Sequence, residues 1–175
     1  LVEQYLPEHS EEDLKTIVME EISRLPALGI TSIQDNSPVE MLNYYRYLLE
    51  QRRLPVRVSV NPPIIEHLVE YRQFRRDFTG DRIRFGYLNG DIDGSIASQT
   101  AYLIQPYLSD VHDAGKPFID RDLLNSMVHL ADNEKFQAGM GAAGDAAVNL
   151  ILNAYALSSR VNDPRDRRFR IEHLT

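Results

Sequence analysis

Short β-branched runs alternate along this chain with longer segments of helical periodicity, and this alternation restricts the fold more than any other feature. Residues 30–35, 56–60, 82–88, 136–140 and 169–173 read as strands. Val56, Val58 and Val60 share one face of the second run. Ser10-Glu11-Glu12-Asp13 is a capping-box start to a helix carrying Leu14, Ile17, Val18, Ile22 and Leu25, which Pro26 and Gly29 should end. Ser37 and Pro38 open a second helix with Met41, Tyr44, Tyr45, Leu48 and Leu49 on its apolar face. Pro62 and Pro63 start a third, carrying Ile64, Ile65, Leu68 and Val69. A fourth runs from Asp120 with Leu123, Leu124, Met127 and Val128 inward, and a fifth uses Val148, Ile151, Leu152 and Tyr155. Helical crossovers between strands make the sheet parallel and the class α/β. Five strands are too few to close a (β/α)8 barrel, which takes about 250 residues. Part of such a barrel and a self-contained open doubly wound sheet both remain.

A chain of 175 residues suits one domain with a real core. No apolar run approaches the ~20 residues of a membrane span, and no signal-peptide pattern opens the chain. Cys is absent, which excludes disulfides and thiolate metal sites and is compatible with a cytoplasmic location. A net charge of −7 and a pI near 5.2 argue against nucleic acid as the main partner. Arg165, Arg167, Arg168 and Arg170 form a late basic run, but Asp163 and Asp166 interleave with it, so a solvated loop is expected. The chain starts at Leu1 and stops at Thr175 directly after a strand-like run, which reads as a fragment of a longer chain.

In a parallel α/β fold the chemistry sits at the carboxyl ends of the strands. The polar residues there are Gln34, Asp35, Asn61, Asn89, Asp91, Asp93, Asp145, Glu172 and His173, with Gly141 among them. Asp and Asn at such places commonly cap the next helix or make a turn, which is the plainer reading for Asp35, Asn61 and Asp145. A histidine ending an apolar strand, as His173 does, can be a hydrogen-bonded core residue or a metal ligand. His9, His67, His112 and His129 form no ligand pattern and read as surface residues. No GxSxG elbow, P-loop or GxGxxG is present.

Asp93-Gly94-Ser95-Ile96-Ala97-Ser98-Gln99-Thr100-Ala101, followed by Gln105-Pro106-Tyr107, resembles the Asp-Gly-Ser-x-x-Ser-x-Thr-Ala segment of the amidohydrolase family 3 branch of the amidohydrolase superfamily. Gly144-Asp145 opening a helix, Arg170-Ile171-Glu172-His173 about 25 residues later, and the early Leu28-Gly29-Ile30-Thr31-Ser32 match that branch in order and spacing. The resemblance covers nearly the whole chain. It implies a TIM-type (β/α)8 barrel, here the central part with about five parallel βα units, forming a single partial barrel domain over 1–175. It also implies one or two divalent metals, zinc or another, that generate hydroxide and polarise the carbonyl of a small amide-like substrate. Asp93, Ser95, Ser98 and Asp145 are its implied substrate-binding positions.

The ligands carry over poorly. The His-x-His pair and the final Asp of the family fall outside the chain. The lysine position is Asn89, the first later histidine is Gly141, and the usual Arg of the Ser-x-Thr segment is Gln99. His173 is the one matching metal ligand, and Asp91, one layer beyond Asn89, is a second candidate. A catalytic zinc takes about three protein ligands. The expectation is a hydrolase of non-peptide C–N bonds by descent, inactive as it stands, with metal absent or weakly held. The alternatives are a non-enzymatic small-ligand-binding or scaffold module, and an active enzyme completed by segments outside the chain. An incomplete barrel exposes two sheet edges, so self-association is expected.

Overall fold

The computed structural model describes residues 10–36, 39–64, 68–78 and 80–174. Ser37, Pro38, Ile65, His9 and His67, used in the sequence reading, lie outside them. Among these residues six strands and five α-helices follow one another: α1 (Glu11–Arg24), β1 (Ser32–Asp35), α2 (Val39–Glu50), β2 (Arg57–Val60), α3 (Leu68–Asp77), β3 (Ile83–Phe85), β4 (Leu88–Asp91), α4 (Arg121–Asn133), β5 (Ala138–Gly141), α5 (Asp145–Val161) and β6 (Arg170–Glu172). All pairings between these strands are parallel and follow chain order, β1-β2-β3 in one sheet and β4-β5-β6 in the other.

The expected third strand is two strands, and Asn61 is the reason. Gly86 N–H still donates to the Val60 carbonyl at 2.8 Å, but the next amide, that of Tyr87, turns to the Asn61 side-chain oxygen at 3.2 Å. Asn61 is fully buried, and a Cβ on Gly86 would lie 2.1 Å from its Oδ1, so only glycine lets that amide side chain enter the ladder. Beyond the break, Asn89 N–H donates to the Pro62 carbonyl at 2.9 Å and Ile64 N–H to the Asn89 carbonyl at 2.7 Å. The segment after β2 therefore bridges to β4 and links the two sheets.

Helices cover one face. Ile22, Leu42, Tyr45 and Leu48 pack with Val56, Val58, Val60 and Ile83 under the first sheet. Tyr71, Leu124, Met127, Val128, Ile151 and Ala154 pack against Leu88, Ala138 and Met140 under the second. The opposite face of the first sheet is polar: Ser32, Gln34, Arg57 and Arg84 are exposed there. The expected apolar stripes were drawn too wide, because each helix buries only the rows that meet a strand or a neighbouring helix. Leu14, Ile17, Val69, Leu123 and Leu152 are 37%, 44%, 71%, 46% and 53% exposed.

The helix starts behave as their sequences require. Ser10 Oγ accepts the Asp13 amide and the Asp13 carboxylate accepts the Ser10 amide, closing the capping box. Asp120 caps α4 through the Asp122 and Leu123 amides.

The arginine run is not simply a solvated loop. Asp132, at the end of the apolar face of α4, is fully buried, and Arg165 and Arg167 converge on it at 2.7 and 2.9 Å. Ser158 and Asn162 donate to the same carboxylate at 2.9 and 2.8 Å. Arg168 alone keeps to the expected pattern, paired with Asp166 on the surface.

Candidate functional site

The carboxyl ends of β4, β5 and β6 meet at one place. Register sets Asp91 beside Gly141, and Gly141 beside Glu172, so these three residues share a face. A layer below, Asn89, Gly139 and Arg170 are aligned in the same way. The two glycines of β5 let side chains from neighbouring strands lie across it. A Cβ on Gly139 would lie 2.4 Å from the Tyr87 ring, and one on Gly141 would lie 2.1 Å from Asp91 Oδ1 and 3.0 Å from His173 Cδ2. The space that a residue-141 side chain would enter is held by the Asp91 carboxylate, with the His173 imidazole facing the same point.

His173 lies one residue past the end of β6, not within it as expected, and its φ of 62° is left-handed. The residue before it is tightly held. Tyr87 O–H donates to Glu172 Oε2 at 2.7 Å, and Arg170 pairs with Glu172 Oε1 at 2.5 Å. The Arg170 guanidinium also stacks over the Tyr87 ring at 4.7 Å. Burial first, and then the bond to Glu172, push the Tyr87 hydroxyl up to about 12.

The other expected site residues have structural employment. Asp93 is 4% exposed and accepts three backbone amides, Tyr102 at 2.7 Å, Ala143 at 2.9 Å and Gly144 at 2.8 Å. It ties the long loop after β4 to the turn that opens α5. Ser95, Ser98 and Thr100 bond one another through their hydroxyls at 2.8 and 2.7 Å, closing a compact loop on the solvent side. Asp145 Oδ1 accepts the Ile104 amide and the Ala146 amide, each at 2.8 Å. Asn89 donates its side-chain amide to the Asn61 carbonyl. Gln99 sits in a left-handed turn with φ 56°.

Two cavities meet at His173. One, of about 350 Å³, is lined by Asp91, Asp93, Gly94, Phe118, Gly141, Ala142, Ala143 and His173. The other, of about 530 Å³, is lined by Gly94, Ser95, Ile96, Ala97, Ala143 and His173. Sequence reasoning missed Phe118 and Ile96 as cavity walls, since both sit in an irregular stretch without periodicity. It also missed Tyr87, although a tyrosine beside a strand-breaking glycine was a usable signal.

The donors do not fit a complete metal centre. No group of three His, Cys, Asp or Glu that could hold a metal ion exists among the described residues. Glu172 is committed to Tyr87 and Arg170, which leaves Asp91 and His173 against the roughly three ligands of a catalytic zinc.

The model of the amidohydrolase family matches residues 1–175. The chain is 28% identical over 131 residues to the protein LONG AFTER FAR-RED 3 of Arabidopsis thaliana, covering 74% of this chain and 22% of that protein. It is 28% identical over 89 residues to YtcJ of Bacillus subtilis strain 168, whose name places it among the amidohydrolases, covering 51% of this chain and 17% of that one. The chain thus spans about a fifth of the length of these relatives. Crystal structures of uncharacterized metal-dependent hydrolases from Pyrococcus horikoshii and Pyrococcus furiosus superpose with TM-scores of 0.72 and 0.71. Identities are 21% and 22%, with 85% of this chain covered in each and 31% and 32% of the two hydrolases, which shows a shared fold. No helix among the described residues is long and apolar enough to cross a membrane.

Proposed function

Because this chain belongs to the amidohydrolase family, we propose that it is the central part of a (β/α)8-type barrel built for metal-dependent hydrolysis of non-peptide C–N bonds, and that as it stands it hydrolyses little or nothing. The chain-order parallel strands, covered by helices on one face, support the barrel reading. Unpaired edges at β1 and β6, among the described residues, support self-association. A small amide-like molecule is the proposed substrate class, and a cytoplasmic location fits the absence of Cys.

The observation that carries the inactive reading is the seat at Gly141. Asp91 Oδ1 lies 2.1 Å from where a Cβ there would stand, so a carboxylate from the neighbouring strand β4 fills the place that the family's imidazole would take. With Asn89 neutral and Glu172 engaged, two donors remain. The test is elemental analysis after dialysis against a mild chelator. The expected result is substoichiometric zinc, and no recovery from Gly141→His alone, because Asn89 still stands in the lysine position and one added imidazole does not complete the donor set. One tightly held zinc per chain that disappears in His173→Ala would overturn this reading.

A second reading, a non-enzymatic small-ligand module, is favoured by the two cavities of about 350 and 530 Å³ sharing His173 as a wall.

A further inference from the structure

The replacement at Gly141 changes the charge of the site as well as its ligand count. A bound divalent ion would make this corner positive. Here the charge projecting into the cavity is the Asp91 carboxylate, which has no hydrogen-bond or ion-pair partner among the described residues. Asp93, on the same wall, is saturated by three backbone amides, and Glu172 is neutralised by Arg170. The cavity wall therefore carries two carboxylates, of which Asp91 is the exposed one without a partner among the described residues, in a chain of net charge −7. Anionic ligands are disfavoured there.

Part of the lining is aromatic. Phe118 lines the same cavity, and its backbone amide donates to the Ile92 carbonyl at 2.8 Å, so the residue is anchored to the extension of β4. A carboxylate and an aromatic residue lining one cavity supply the two groups that recognise an organic ammonium, the first by charge and the second by its ring quadrupole. The adjoining cavity has a different character. Ile96, Ala97 and Ala143 present methyl groups, with Ser95 at one side. A ligand filling both cavities places a cationic head by Asp91 and Phe118 and a compact apolar group against Ile96 and Ala97.

We infer that this chain binds a small primary ammonium bearing a short alkyl group, with its head where Asp91 occupies the Gly141 seat and its chain across His173 against Ile96. This rests on the metal-poor reading above, since a divalent ion at Asp91 and His173 would repel the ammonium. The experiment is protein-observed NMR titration of the full chain with 3-methylbutylammonium, methylammonium, 3-methylbutanol and zinc, each alone. The expected result is shifts at the amides of residues 94–97 and 141–143, and at least tenfold tighter binding of 3-methylbutylammonium than of either the alcohol or methylammonium. Asp91→Asn should remove the preference over the alcohol, and Ile96→Ser the preference over methylammonium. Phe118→Leu lies at a site 62% exposed, where folding is not at risk, and should weaken both ammonium ions several-fold while leaving the alcohol unchanged. Equal binding of ammonium and alcohol, or indifference to Asp91→Asn and Phe118→Leu, overturns the inference while the metal-poor reading stands. Tight stoichiometric zinc that excludes the ammonium overturns both.

Discussion

Under β1–β3 the helices bury Leu42, Leu48, Val56, Val58 and Ile83, an aliphatic layer with the Tyr45–Asp35 hydrogen bond at its margin. Behind β4–β6 the corresponding layer contains a buried ion cluster, Asp132 with Arg165 and Arg167, beside Leu124, Val128 and Ile151. The first half is held mainly by aliphatic contacts that ask nothing of protonation state. The second half is held partly by a carboxylate that must stay ionised. The reason lies in what each half has to position. Residues 162–169 carry no regular structure, yet they deliver β6 and His173 to the site, and the arginines fasten that loop to α4. Specific geometry for a loop comes from charged hydrogen bonds, which are directional, more readily than from aliphatic packing.

The largest expected effect tests that contrast directly. Asp132→Ala leaves two arginines half-buried or deeper without a counterion and strips acceptors from Ser158 and Asn162. Breaking a buried pair in this way costs about 3–5 kcal/mol. Chemical denaturation should show that loss, and hydrogen exchange should show it concentrated in α4, α5 and β6 while β1–β3 stay protected. The wild-type cluster should also fail in acid. Burial pushes the Asp132 carboxyl up, but donation from Asn162, Arg167, Ser158 and Arg165 outweighs it and holds the group below the usual carboxylate range. Its contribution is thus complete above the unfolded value near 3.9 and is lost as pH falls through the lower folded value. Protection lost evenly across both sheets in Asp132→Ala would erase the distinction between the halves.

Leu42→Ala is the matching test of the aliphatic half. Leu42 is fully buried, and removing it should cost about 2–5 kcal/mol, most of it cavity and lost transfer energy. If the halves are separate packing units, Leu42→Ala and Asp132→Ala add within about 0.5 kcal/mol in the double variant. A coupling above about 1 kcal/mol would mean that the Asn61 joint transmits strain between the sheets.

Much of this architecture was legible in the sequence, and what was not has definite causes. Strand order, parallel pairing, the Ser10 capping box and the start of α4 at Asp120 follow from periodicity and from residues whose effects are local. The break between β3 and β4 was not legible, because it depends on Asn61, some 25 residues earlier, reaching into the ladder at Gly86. The Asp132 cluster was hidden for a related reason. Alternating Arg and Asp look solvated when only neighbours along the chain are considered, although an aspartate on the apolar face of α4 was a clue. At the site, sequence could name His173, Gly141 and Asp91 but could not say that they meet. That required the register Asp91 to Gly141 and the left-handed turn at His173. The three backbone amides that Asp93 accepts were not legible either, because they depend on the fold of the loop that follows it.

The smallest expected effect falls on the contact that ties the two regions together at the site. Tyr87 stands at the break between the sheets, and its hydroxyl reaches across β5 to Glu172 on β6 at 2.7 Å. Tyr87→Phe removes one hydrogen bond and keeps the ring over Gly139 and under Arg170, so it should cost only about 1 kcal/mol. The pH dependence is the sharper readout. The hydroxyl is pushed up to about 12 by burial and by the Glu172 carboxylate, against about 10 in the unfolded chain. A folded value raised in this way contributes stability that is fully present below pH 10 and is lost as pH rises through about 12. Stability curves of wild type and Tyr87→Phe should therefore run parallel below pH 10, the wild type alone should lose this contribution as pH rises above it, and ultraviolet titration should show one late-ionising tyrosine missing from the variant. If Tyr87 instead ionises near 10, its hydroxyl is not held by Glu172, and the end of β6 that carries His173 is fastened from the Asp132 side alone.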